Sequence, residues 1–213
     1  MADRDGWGDA VNLREQLGVR KTVDFEIDLP RGWARFDIDG GHDELVSGMK
    51  KRFMEAHRPD LFVEAKAMFD KAFDGMRKND VFAFFAPAGE QPDDVVVLPA
   101  SINASIRTGE PGQSLDKMAH NAIQKYGAKP LFGDPRTLRF ERERTIDLDG
   151  EPIINHSLIY FTPIPGTQRR RALQLVAAFA RTPDVRPDAP ALVATRALLD
   201  ACVATLRWNR SSA

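Results

Sequence analysis

The dipeptide Asp149-Gly150 stands between two runs, Arg136–Leu148 and Glu151–Ile164, in which apolar and polar residues alternate. Asp-Gly readily adopts the positive φ angles of a two-residue hairpin turn, and alternation on both sides makes this a strong hairpin signal. A two-residue turn also fixes which residues face each other. Leu148 faces Glu151, Ile146 faces Ile153, Arg144 faces Asn155, Arg142 faces Ser157, Phe140 faces Ile159 and Leu138 faces Phe161. On this face the quartet Arg142, Arg144, Asn155 and Ser157 interrupts apolar residues above and below. On the reverse face Glu143 opposes His156 and Arg139 opposes Tyr160. Any fold of this chain has to be built around a long antiparallel hairpin.

The rest of the sequence supplies partners for it. Val23, Phe25 and Ile27 alternate with acidic residues, Leu29-Pro30-Arg31-Gly32 breaks the pattern, and Trp33–Ile38 resumes it, which predicts a hairpin over 23–38. Helical spacing follows over 43–57. A second helix is predicted to start at Pro59, where the missing N–H costs nothing. Its stripe of Leu61, Phe62, Ala65, Met68, Phe69, Ala72, Phe73 and Met76 is expected to lie against the sheet. Val81–Ala86 is apolar on both parities and reads as a strand covered on both faces. Asp94–Arg107 reads as a long strand with one core face and one polar face, the latter carrying Ser101, Asn103, Ser105 and Arg107. Ser114 is placed to cap a helix whose stripe runs from Leu115 to Tyr126, and Gly127 to close it in the left-handed conformation. Leu173, Leu175, Ala177 and Phe179 define another strand, and a final helix is predicted at about Ala191–Leu206.

The expected fold class is α+β, a largely antiparallel sheet with helices packed on its faces. Residues 1–22 read as a polar extension with a short helix around Asp9–Leu17, 23–208 as a single domain and 209–213 as a tail. No repeat or linker divides the chain.

The charge balance is −1 with 43% apolar residues, which suits an ordinary globular core and argues against a general nucleic-acid binder. The one cysteine, Cys202, excludes an intrachain disulfide and any multi-cysteine metal site, and is expected inside the last helix. No secretory signal or membrane span is legible, so a cytoplasmic setting is the expectation. No GxSxG elbow, P-loop or dinucleotide fingerprint occurs, and His42, His57, His120 and His156 show no metal spacing. No cofactor or metal is expected, and the missing motifs count modestly against an enzyme, since catalytic carboxylates need no local motif.

Two readings of the quartet stay open: a solvated stretch of sheet, or a site for an anion or carboxylate, because paired arginines present fixed donor forks. His156 is included with Arg142, Arg144, Asn155 and Ser157 as a candidate binding residue. Arg169-Arg170-Arg171, with Arg136 and Arg139, is a candidate basic rim.

The turn Leu29-Pro30-Arg31-Gly32-Trp33-Ala34-Arg35-Phe36, the segment Tyr160-Phe161-Thr162-Pro163-Ile164-Pro165-Gly166-Thr167 and the close Ala204-Thr205-Leu206-Arg207-Trp208 resemble the Mog1/PsbP-like fold, an α/β/α sandwich, in an uncharacterised actinobacterial branch. The resemblance spans about 23–208 and implies a scaffold used for binding rather than catalysis, with no catalytic residue to carry over. The expectation is a non-enzymatic binding or adaptor protein, or a secretion-associated chaperone, whose partner is another protein. The alternative is a small-molecule or anion binder, or an unrecognised hydrolase, using the arginine-bearing face. A homodimer through an open sheet edge is a third possibility.

Overall fold

In the computed structural model, the described residues are 23–38, 40–88, 99–109, 115–148 and 150–209. Among them are nine strands and four helices: β1 (Phe25–Glu26), β2 (Trp33–Asp37), α1 (Gly41–Glu55), α2 (Pro59–Lys78), β3 (Val81–Pro87), β4 (Ala100–Thr108), α3 (Asp116–Tyr126), β5 (Lys129–Leu131), β6 (Asp134–Leu148), β7 (Glu151–Pro163), β8 (Arg171–Arg181), α4 (Pro190–Ala204) and β9 (Arg207–Trp208). The predicted helix at Asp9–Leu17, the cap at Ser114 and the first residues of the Asp94–Arg107 strand lie outside the described residues.

The central sheet runs β2-β3-β4-β8-β7-β6-β5, every neighbour antiparallel. The β6–β7 hairpin has the register its turn requires, from Leu148↔Glu151 through Arg142↔Ser157 to Leu138↔Phe161. Gly150 takes φ 87°, the left-handed region that glycine enters without a Cβ clash.

One prediction is overturned. The segment 23–38 does not fold back as a hairpin; β1 pairs with β9 (Phe25↔Trp208), and β2 pairs with β3 at the sheet edge. The alternation correctly buries Phe25 and Ile27 while exposing Glu26. Phe25 is committed to the core among Phe82, Phe85 and Trp208, at centroid distances of 6.2, 6.0 and 6.4 Å, and β2 reaches it through the Arg35 side chain, which donates to Phe25 O at 3.1 Å. The α2 stripe is also divided. Phe69, Phe73 and Met76 pack toward Phe36 and Phe84 of the sheet, whereas Phe62 meets Phe53 of α1 and Met68 is exposed.

The two faces of the sheet are covered differently. One face, here the α4 face, buries Ile102, Ala104, Leu158, Tyr160, Leu173, Leu175 and Phe179 against Leu199, Cys202 and Val203 of α4. The other face carries α1 and α2 over β2 and β3, and α3 over Phe140 and Ile159 at the far end. Gly127, at φ 66°, closes α3 as expected.

A polar latch fixes α4 to the outer strands. Tyr160 Oη and Arg139 Nε both donate to Asp200 Oδ1, at 2.7 and 3.0 Å. Arg139 also pairs with Glu141, whose second oxygen lies 3.4 Å from Arg196 Nε of α4. Burial and the neighbouring Asp200 charge push the Tyr160 phenol well above its ordinary range. Below this, His156 is 1% exposed and stacks on Phe179 at 4.8 Å. Its Nε2 accepts a 2.8 Å hydrogen bond from Arg181, so the neutral ring carries its proton on Nδ1. Glu143 Oε1 lies 3.1 Å from Nδ1 without hydrogen-bond geometry, so the buried Nδ1 has no hydrogen-bond acceptor among the described residues. Burial is the main cause of a lowered His156 pKa, and the Glu143 carboxylate only partly opposes it.

Two predictions follow from this packing. Leu199 is fully buried, so Leu199→Ala should lower unfolding free energy by about 2–5 kcal/mol in urea titrations, the usual cost of a core cavity. His156 has a depressed folded pKa, so its contribution is complete above the unfolded value of about 6.5 and is lost as pH falls through the folded one. His156→Gln, which keeps an acceptor for Arg181, should flatten the loss of stability as pH falls below about 6.5 in the same titrations. His42 works in the opposite sense: hydrogen bonds to Asp43 and Asp70 raise its pKa, so its contribution fades as pH rises.

Candidate functional site

Between α2 and α3 no helix among the described residues lies over the sheet, and two cavities of about 450 and 550 Å³ open there. The reason is the parity of β4 and β8. Ser101, Asn103, Ser105 and Arg107 of β4 point to the same face as Gln174 and Val176 of β8, by the pairing Ser105↔Gln174 and Asn103↔Val176. These residues are too polar to be sealed under an apolar helix stripe, so they form the floor of a cleft. Gln174 lines both cavities and joins them. Its Oε1 accepts a 2.7 Å hydrogen bond from Arg107 Nε, which orients the guanidinium over the floor.

The cavity under α3 is walled by Met118, Asn121 and Tyr126 and floored by Phe140, Ile159 and Phe161. Tyr126 stacks on Phe140 with a centroid separation of 5.1 Å and an interplanar angle of 10°. The Arg142 guanidinium lies 5.1 Å from the Tyr126 ring centroid and lines the same cavity. Stacking of this kind holds a guanidinium by its face and leaves its edge donors available.

The structure brings the quartet together on this open face. Arg142 is paired with Ser157 and Arg144 with Asn155 across an unbroken ladder. Both arginines are exposed, and neither has a carboxylate partner among the described residues. His156 is not with them. Its even position in β7, shared with Leu158 and Tyr160, turns it to the α4 face, where it is buried in the latch. The basic rim is divided too. Arg136 and Arg169 line a third cavity of about 620 Å³ beside Trp208, but Asp134 and Asp116 pair with them. Arg139 belongs to the α4 latch.

Among the described residues, no aspartate, glutamate, histidine or cysteine lines either cleft cavity, and every charged residue there is a cation: Arg107, Lys117 and Arg142. Nor do three His, Cys, Asp or Glu side chains gather among the described residues so as to hold a metal ion. Cys202 is buried and its thiol is pushed up by burial, away from reactivity. The arrangement can bind and neutralise negative charge.

Three of these features were not singled out in the sequence. Gln174 carried a usable signal, a lone amide in an apolar strand on the parity of Val176 and Ala178. Lys117 and Tyr126 carried none, because their role depends on where α3 crosses β6. Among the described residues no helix is long and apolar enough to cross a membrane.

No family profile and no curated protein matches this chain. Among solved structures, a mutant of the protein Mog1 is similar over 59% of this chain and 78% of its own length, at 11% identity and a TM-score of 0.35. A protein from Bacteroides thetaiotaomicron VPI-5482 is similar over 62% of this chain, at 10% identity and a TM-score of 0.35. This chain spans 40% of the length of that protein.

Proposed function

We propose that this protein is a non-enzymatic binding protein that takes an acidic segment of another protein on its open sheet face, with Arg107 and Arg142 as the principal anchors. The observation that supports this reading is the sign of the cleft: in a chain of net charge −1, every charged residue lining it among the described residues is cationic. Ser157 faces Arg142 across the ladder, and Arg144 and Asn155 extend the same surface toward the hairpin tip. Phe140, Ile159, Phe161 and Val176 give the floor an apolar part, so a ligand of mixed character fits better than a bare inorganic anion. A role as adaptor or chaperone would use such a surface without any chemistry on the partner.

The cationic lining, with no carboxylate or histidine among the described residues, favours a binder over a hydrolase. Ser101 and Ser105 line the cleft, yet His156 lies on the opposite side of the sheet and cannot activate them. A small dicarboxylate remains the second occupant to test, since the donor forks of Arg107 and Arg142 recognise a carboxylate whatever carries it.

Calorimetry with end-blocked acidic peptides, their amide twins and small dicarboxylates measures this directly. The expected result is binding of acidic probes, loss of binding by the amide twins, and weakening as salt rises. Arg107→Gln with Arg142→Gln should lower affinity about tenfold or more, with little change in melting temperature. Equal affinity for the acidic and amide forms would overturn the reading. Affinity for dicarboxylates alone would move the protein to the small-molecule class.

A further inference from the structure

β6 is covered on its outer side over only part of its length. β5 pairs with its first residues, Lys129↔Arg139, Pro130↔Leu138 and Leu131↔Asp134. From Phe140 to Leu148 its inner side pairs with β7, and among the described residues no strand pairs with its outer side. The cause is local: Gly127 closes α3 in the left-handed conformation and Ala128 donates back to Ala122 O, so the chain enters the sheet only at Lys129. Every second residue of the uncovered stretch therefore presents an outward N–H and C=O, the template for strand addition.

The side chains along this edge read Glu141-Arg142-Glu143-Arg144-Thr145-Ile146. The two signs fall on opposite faces and have different histories. On the α4 face Glu141 is engaged by Arg139 and Arg196, and Glu143 by His156 and Arg181. On the open face Arg142 and Arg144 have no carboxylate partner among the described residues, and Ile146 beside them is 39% exposed. The edge thus has a preference for negative charge at two positions two residues apart.

A second copy of the chain cannot meet it. In an antiparallel two-fold pairing that continues the sheet, residues of one face meet residues of the same face. On the uncovered stretch, Arg142 and Arg144 would then meet only the even-numbered residues of the other β6, Phe140, Arg142, Arg144, Ile146 and Leu148, none of them a carboxylate; the one even-numbered carboxylate of β6, Asp134, lies where β5 already pairs. Like charges opposite each other destabilise such a pair.

We infer that the outer edge of β6 over 140–147 accepts an extended segment of a partner protein as an added antiparallel strand, with acidic side chains opposite Arg144 and Arg142 and an apolar one opposite Ile146. In the partner's own direction the pattern is apolar-x-acidic-x-acidic. This rests on the binding role proposed above and names the form of the partner.

The test uses the full chain and the end-blocked peptide Thr-Val-Thr-Glu-Thr-Glu-Thr, its Gln twin, and two backbone N-methylated versions that block alternate sets of amides. The expected result is that one methylated version loses binding while the other keeps it, because only one set of amides faces β6. Hydrogen exchange should show the outward amides of 140–147 protected by the Glu peptide and not by the Gln twin. Arg142→Glu with Arg144→Glu should reverse the preference toward a Lys twin by about tenfold, and the double Gln variant should remove it if the reversed one does not fold. Equal binding of both methylated peptides, or no protection of β6, would overturn strand addition while leaving acidic binding in the cleft intact. Failure of every acidic probe, small dicarboxylates included, would sink both readings. A dimer in light scattering, with 140–147 protected in the absence of peptide, would replace the partner with a second copy.

Discussion

Because a β-strand has only two faces, a slip of one residue between Asp134–Leu148 and Glu151–Pro163 would exchange everything on them. Arg142 and Arg144 would turn under α4, and Glu141 and Glu143 would turn toward the cleft. Several features pin the observed register. Gly150 permits the tight turn at φ 87°. β8 continues the ladder from Ile154↔Arg181 to Pro163↔Ala172, so a slip would have to break two pairings together. Tyr160 reaches Asp200, and His156 reaches Arg181, only with these residues on the α4 face. Leaving Asp200 or Arg181 without these partners would strand buried polar groups, which costs far more than one exposed hydrogen bond.

The same register sorts the charges by what each face can tolerate. A charge carried into the α4 interface loses water and needs a partner, and Arg139, Arg181 and Arg196 all have one there. A charge on the open face keeps its water and can stand without a counter-ion, as Arg142 and Arg144 do. The near-neutral total of −1 therefore conceals a local excess of positive charge on one half-covered surface. Paired arginines hold the fold together, and unpaired ones are what a ligand would meet.

How much of this could be read in the chain varies with distance along it. The hairpin pairs were legible residue by residue, because Asp149-Gly150 determines the offset and alternation does the rest. The buried positions of β8 and the address of Cys202 were legible from periodicity for the same local reason. The partner of β1 was not. Alternation in Val23–Ile27 tells which side chains go inward and is silent about the neighbouring strand, which proved to be β9, more than 180 positions away at Phe25↔Trp208. β9 and β5 are two and three residues long, too short to show a period, and β5 contains Pro130. The arginine quartet was legible as a set sharing one face, whereas placing His156 with it ignored the parity that puts it on the other. The cleft was legible only in fragments, since its floor joins Arg107 to Gln174, 67 positions apart, and its existence depends on two helices failing to meet.

Cleft and edge are physically one surface because of Arg142. Its side chain rises from the open edge strand, yet its guanidinium lies over Tyr126 and lines the cavity under α3. Stacking on Tyr126 leaves the in-plane donors of Arg142 available, but a carboxylate held on an added strand would draw them toward the edge, and it offers the stronger, directional contact. Drawing the guanidinium outward would uncover one wall of the α3 cavity and remove a cation from it. Occupation of the edge is then coupled to occupation of the cleft through a single side chain. The sign of that coupling depends on whether a partner segment satisfies Arg142 from the edge alone or continues inward to Arg107, whose guanidinium Gln174 already holds over the floor.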